Sequence, residues 1–151
     1  MVAVKQAYLI LKEAIHMVQF LAGLKGEGKT RKLIDMANEN ANVTDGSLVF
    51  IDDDTRHIHS LHRDIRLVET GKHLLDSYRE FVGYILGILS QNSDIKHIYV
   101  DALTNIMADG AVNGDSLVKL KHKLDAIADS AQVDFTISVH YEKASLPDEI
   151  K

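Results

Sequence analysis

The feature that most restricts how this chain can fold is the run Gly23-Leu24-Lys25-Gly26-Glu27-Gly28-Lys29-Thr30, which fits the pattern G-x-x-x-x-G-K-[ST]. Glycines at these spacings let a backbone curl so that successive N–H groups point into one concavity, a nest for an anion. The nest is complete only between a strand and a helix, where the helix N-terminus adds unpaired N–H groups and the positive end of its dipole. The flanks meet that demand. Residues 17–22 are a short continuous apolar run, as in a parallel strand buried on both faces. Residues 29–42 carry Leu33, Ile34, Ala37 and Ala41 on one helical face.

The rest of the chain continues the alternation. Asp45-Gly46 supplies a turn before a strand at 47–52, residues 54–63 read as a helix, and 65–68 as a short strand. A longer helix is expected over 74–89, where Gly83 and Gly87 suggest close packing. Residues 97–101 form another buried-type strand, 116–131 a helix with Leu117, Leu120, Leu124, Ile127 and Ala128 in register, and 133–139 a last strand. Alternating strands and helices imply an α/β fold in three layers, α/β/α, with a mostly parallel sheet and ligands bound beyond the carboxyl ends of the strands. Ahead of this unit (17–151) stands an amphipathic helix (1–16), with Val4, Ala7, Tyr8, Leu11, Ala14 and Ile15 spaced to form one apolar face. That face must pack on the sheet or on a second subunit.

With 151 residues, 46% of them hydrophobic, the chain matches one ordinary domain. It has no cysteine, which excludes a disulfide framework and thiolate metal sites. No signal-peptide pattern opens it, and no apolar run approaches the roughly 20 residues that span a bilayer. A soluble, cytoplasmic chain without a membrane partner is the expectation. A net charge of −5 argues against a general electrostatic grip on nucleic acid. Pro147 is the single proline, and no repeat or low-complexity linker divides the chain.

The loop chemistry points to a nucleoside triphosphate, ATP with Mg²⁺. Lys29 would neutralise β- and γ-phosphate charge, while the Thr30 hydroxyl would take one Mg²⁺ position. The stretch Ile98-Tyr99-Val100-Asp101 delivers a single carboxylate at a strand end, suited to holding Mg²⁺ through water. Alone, a strand ending in aspartate is weak, and a glycine turn beside a surface lysine is the bland alternative for the loop.

Two further stretches resemble the RecA and KaiC branch of phosphate-loop ATPases. Val49-Phe50-Ile51-Asp52-Asp53-Asp54 is similar to that group's second strand, where an acidic residue at the strand end polarises the attacking water. The resemblance puts Asp54 in that role, with Asp52 and Asp53 as alternatives. Residues 98–104 are similar to the family's magnesium strand, in which a small and then an apolar residue follow the aspartate, here Ala102 and Leu103. The last strand, ending at His140, occupies the place of a polar γ-phosphate sensor. The chain also looks like small stand-alone bacterial ATP-binding proteins of unassigned role. It departs from the RecA pattern where Asp54 replaces glutamate, where the chain ends soon after the last core strand, and in offering no arginine finger by motif. Leu24 stands where partitioning ATPases carry an extra lysine, and Lys25 comes one residue later.

The remaining features have bland readings beside sharper ones. His59 and His62, three apart on the expected helix 54–63, could suit a metal or a solvated face. Arg56 and Arg63 could reach the γ-phosphate of a neighbouring subunit. Lys119, Lys121, His122 and Lys123 form a small basic patch that a solvated helix face explains. Three activities stay open: a slow RecA-like ATPase assisted by a protein partner or self-assembly, an ATP-dependent switch without turnover, and a small-metabolite kinase.

Overall fold

The computed structural model describes residues 2–7 and 16–151. The expected helix over 1–16 therefore lies largely outside the described residues; residues 2–7 are helical and exposed. From there the order is β1 (Val18–Gly23), α1 (Lys29–Ala41), β2 (Ser47–Asp52), β3 (Ile65–Glu69), α2 (Tyr78–Gln91), β4 (Ile95–Asp101), the short α3 (Leu103–Ile106), α4 (Gly114–Ala131) and β5 (Asp134–His140). The five strands form one sheet in the order β1-β5-β4-β2-β3, and every neighbouring pair is parallel.

Side-chain alternation along the strands divides the interior in two. On one face Leu33, Ile34 and Ala37 of α1 pack on Leu21, Leu48, Phe50 and Tyr99. On the other, Phe81 and Ile85 of α2 and Leu117, Leu120, Leu124 and Ala128 of α4 cover Val49, Ile51, Ile98, Val100, Phe135 and Ile137. The three-layer α/β/α arrangement is thus a direct product of period-2 strands and period-3.6 helices sharing two apolar interfaces. Fully burying one such leucine, isoleucine or phenylalanine stabilises the fold by about 1.5–3 kcal/mol.

Several expected elements differ. The stretch 54–63 is not a helix: it runs through turns with a single 3₁₀ turn at Ile58–Ser60. Its backbone is claimed by side chains instead. The Arg56 N–H donates to Asp54 Oδ1 at 2.9 Å, Asn38 Nδ2 donates to the Ser60 carbonyl at 2.8 Å, and the His62 N–H donates to Asn38 Oδ1 at 2.7 Å. Aspartate and asparagine bonding to nearby backbone in this way competes with helix. His59 and His62 consequently share no helix face.

The helix expected from residue 74 starts at Tyr78, because Ser77 accepts the Glu80 N–H at 3.3 Å as an N-cap. Leu75 instead bridges in parallel to Met107. Gly83 and Gly87 mediate no close packing, since a Cβ at either would meet nothing within 4 Å among the described residues. Helix α4 begins at Gly114, where Asn113 and Ser116 form a reciprocal capping box. Strand β1 lies at a sheet edge, and its first half is only partly buried rather than covered on both faces. Among the described residues no helix is long and apolar enough to cross a membrane.

Candidate functional site

Parallel register brings the carboxyl ends of the strands into one row. Gly23 pairs with His140, and Asp52 pairs with Asp101. Because β5 lies between β1 and β4, its last residues adjoin both the glycine loop and Asp101. A cleft of about 1240 Å³ opens over this row, bounded by the loop, by Asp53, Arg56 and His57 after β2, and by Thr104 and His140.

The loop takes the form its glycines permit. Gly26 and Gly28 have φ of 88° and 78°, a left-handed conformation in which other L-residues are strained. Gly28 is the N-cap of α1, and no side chain among the described residues caps it, so first-turn N–H groups of the helix face the cleft without a side-chain partner. The Glu27 N–H donates to the Leu24 carbonyl at 3.2 Å, tightening the turn. Lys29 Nζ folds back to donate to the same carbonyl at 3.0 Å. Lys25, Lys29 and Thr30 all line the cleft.

Asp101 is the meeting point. It is buried, and Thr30 Oγ1 donates to its Oδ1 and Oδ2 at 3.2 Å and 3.1 Å. Ser138, fully buried on β5, donates to Asp101 Oδ1 at 2.9 Å and to the Val100 carbonyl at 3.2 Å. Beside it, Asp52 is 1% exposed; its Oδ1 accepts the Asp53 N–H at 2.7 Å, while its Oδ2 has no partner among the described residues. Burial pushes the Asp52 carboxyl up to about 7, with the Asp53 side chain and the negative charge of Asp101 adding to the effect.

The three consecutive aspartates diverge. Asp52 points into the sheet end, Asp53 lines the cleft, and Asp54 turns to Arg56, accepting from its N–H at 2.9 Å and pairing with Nε at 3.0 Å. The Arg56 backbone N–H, followed by its side chain, holds the Asp54 carboxyl below the usual range. Arg56 also lies 3.7 Å from Asp53, so this arginine belongs to the chain's own cleft. Arg63 pairs loosely with Asp64 at 3.9 Å. His140 is exposed at the cleft rim, where its N–H donates to Thr104 Oγ1 at 3.1 Å. The basic patch of α4 is largely spent on its own helix: Lys119 pairs with Asp115 at 3.0 Å and Lys121 with Asp125 at 2.7 Å.

Ser138, Thr104 and His57 join the site without having been singled out for it by sequence. Ser138 had a readable signal, because Thr136, Ser138 and His140 alternate with Phe135, Ile137 and Val139 and must share the face that carries Asp101. Thr104 and His57 lie in short connections whose geometry the sequence does not specify. No protein-family model matches the chain, and no curated protein matches it.

Proposed function

We propose that the cleft binds a nucleoside triphosphate, ATP, together with Mg²⁺. The observation that carries this reading is the contact of Thr30 with Asp101 beside an uncapped helix N-terminus, since the two side chains suited to share a magnesium ion meet where the phosphates would lie. Loop amides from residues 23–30 would cradle the phosphates, and Lys29 would exchange the Leu24 carbonyl for phosphate oxygen. The residues fit the cation: Asp101 and Asp52 are buried carboxylates at adjacent strand ends, and Asp52 Oδ2 lacks a partner among the described residues. Bound there, Mg²⁺ would neutralise charge on the phosphate oxygens.

Hydrolysis follows from the resemblance of residues 49–54 and 98–104 to RecA-type ATPases. In this arrangement Asp53 faces the cleft and can orient water, His140 and Arg56 can approach the terminal phosphate, and Asp54 is held by Arg56. That last pairing favours slow turnover, and it equally favours a second reading in which ATP acts as a switch without turnover. Such use of ATP belongs to the cytoplasm.

Calorimetry of ATP with the parent and with Lys29→Ala, each with and without Mg²⁺, tests the proposal. Micromolar or tighter binding by the parent and a loss of at least tenfold in the variant are expected. Equal affinity in the two proteins would remove the basis of the reading. Phosphate release over many turnovers separates the ATPase from the switch.

A further inference from the structure

Next to the loop, three side chains converge that phosphate binding does not require as a set. Asp52 ends β2, Asp101 ends β4, and His57 lies in the turns after β2; one donor atom from each lies within 4.8 Å of the other two. Asp52 is 1% exposed and its Oδ2 has no hydrogen-bond partner among the described residues. A buried carboxylate oxygen in that state is costly unless a proton or a cation occupies it. Asp101 keeps capacity too, because Ser138 and Thr30 share Oδ1 whereas Oδ2 takes only the Thr30 hydroxyl. His57 is half-buried and lines the same cleft, so the third donor is an imidazole with access to solvent and ions.

We propose that Asp52, His57 and Asp101 form a site for one first-row transition-metal dication such as Zn²⁺, held by the protein in the absence of nucleotide. Two carboxylate oxygens and one imidazole nitrogen are a donor set that discriminates against Mg²⁺ and Ca²⁺, which prefer all-oxygen shells. Metal–ligand distances of about 2.0–2.2 Å set donors about 3–4 Å apart. Donors that lie within 4.8 Å of one another need to close by at most about 1–2 Å to reach that spacing, which the His57 turn can supply while the two strand ends stay fixed by their pairing. The open side of the ion faces the cleft and is completed by water. The proposal goes beyond the nucleotide reading, and because both draw on Asp52 and Asp101 the ion is tested without nucleotide.

Nucleotide-free, metal-stripped full chain is titrated calorimetrically with ZnCl₂ and with MgCl₂, and the visible spectrum of the Co²⁺-loaded protein is recorded. One Zn²⁺ per chain is expected, bound at least tenfold tighter than in His57→Gln or Asp52→Asn. His59→Gln and His62→Gln control for adventitious imidazole binding and should leave Zn²⁺ affinity unchanged. His57→Gln should also alter the Co²⁺ band. Circular dichroism checks the fold of each variant; if Asp52→Asn fails to fold, His57→Gln, in an exposed connection, decides alone. Absence of Zn²⁺ binding, equal affinity in parent and His57→Gln, or equal preference for Mg²⁺ overturns the proposal. Lys29→Ala should keep Zn²⁺ while losing ATP, and a parent that binds Zn²⁺ but no ATP would sink the nucleotide reading and leave this one standing.

Discussion

The Thr30 hydroxyl donates to both carboxylate oxygens of Asp101, at 3.2 Å and 3.1 Å, and so joins the first turn of α1 to the end of β4 across 71 positions of sequence. Ser138 reaches the same carboxylate from β5 at 2.9 Å. Three elements therefore meet on one side chain, and the position of the glycine loop relative to the sheet end depends on it.

That dependence separates structural from ionic roles of Asp101. In Asp101→Asn the side-chain oxygen can still accept from Thr30 and Ser138, so the chain should fold, but the negative charge that attracts a cation is gone. The Mg²⁺-dependent gain in ATP affinity, expected at about tenfold or more in the parent, should fall close to unity in the variant. Calorimetry in Mg²⁺ and in EDTA measures the ratio; an unchanged ratio would show that Asp101 does not serve the cation.

The diverging aspartates make a second test. Asp53 lines the cleft, whereas Asp54 is held by Arg56 at 3.0 Å. Asp53→Asn should lower phosphate release about 100-fold, the usual scale for loss of a group that handles a proton or orients water, and Asp54→Asn should lower it much less. The reverse order would mean that nucleotide draws Arg56 away and frees Asp54 for the role its sequence position resembles.

How far the sequence reached can be traced through these same residues. Strand ends were legible because a run such as Ser47-Leu48-Val49-Phe50-Ile51-Asp52 can be buried only as far as its first charge, and the strand indeed spans Ser47–Asp52. Loop and helix α1 were legible because glycine spacing and the Leu33, Ile34, Ala37 stripe are local signals. The connection after β2 was not, since Asn38, 22 and 24 positions away in sequence, holds Ser60 and His62 by bonds that no local pattern announces. The same holds for the site: the motif residues could be named, but the turning of Asp54 toward Arg56 and the approach of His57 to Asp52 arise from that connection.

Two glycines with equally open surroundings should respond to alanine in opposite directions. Neither Gly28 nor Gly83 would bring a Cβ within 4 Å of another group among the described residues. Gly28 has φ of 78°, so Gly28→Ala should destabilise by about 1–2 kcal/mol through backbone strain alone. Gly83 lies within α2, so Gly83→Ala should stabilise by about 0.5–1 kcal/mol through higher helix propensity and a less flexible unfolded chain. Urea unfolding of the two variants checks both signs, and destabilisation by Gly83→Ala would reveal a packing role that the described residues do not contain.

The buried Asp52 and the half-buried His97, with opposite shifts, give the fold a pH signature. Burial pushes Asp52 up from 3.8 to about 7, so the folded state holds a proton that the unfolded chain has released. This contribution to stability is complete below about 3.8 and is lost as pH rises through about 7. Burial lowers His97 from 6.5 to about 4, its ring stacked 4.1 Å from Tyr99 and bonded to Thr136 at 2.8 Å. The folded state therefore resists protonating His97, and stability is lost as pH falls from about 6.5 toward 4. From pH 8 to about 6.5 the Asp52 effect dominates and stability should rise by roughly 0.4 kcal/mol, an Asp52 gain of about 0.8 less about 0.4 from His97; below about 6.5 the two proton balances cancel and the curve should flatten. Asp52→Asn should remove the rise and leave only the acid loss, whereas His97→Gln should keep stability climbing toward pH 4. Urea midpoints measured in EDTA at half-unit pH steps distinguish these shapes. Parallel curves for parent and Asp52→Asn would mean that Asp52 is ionised in the folded protein throughout, and that a neighbouring positive charge compensates it.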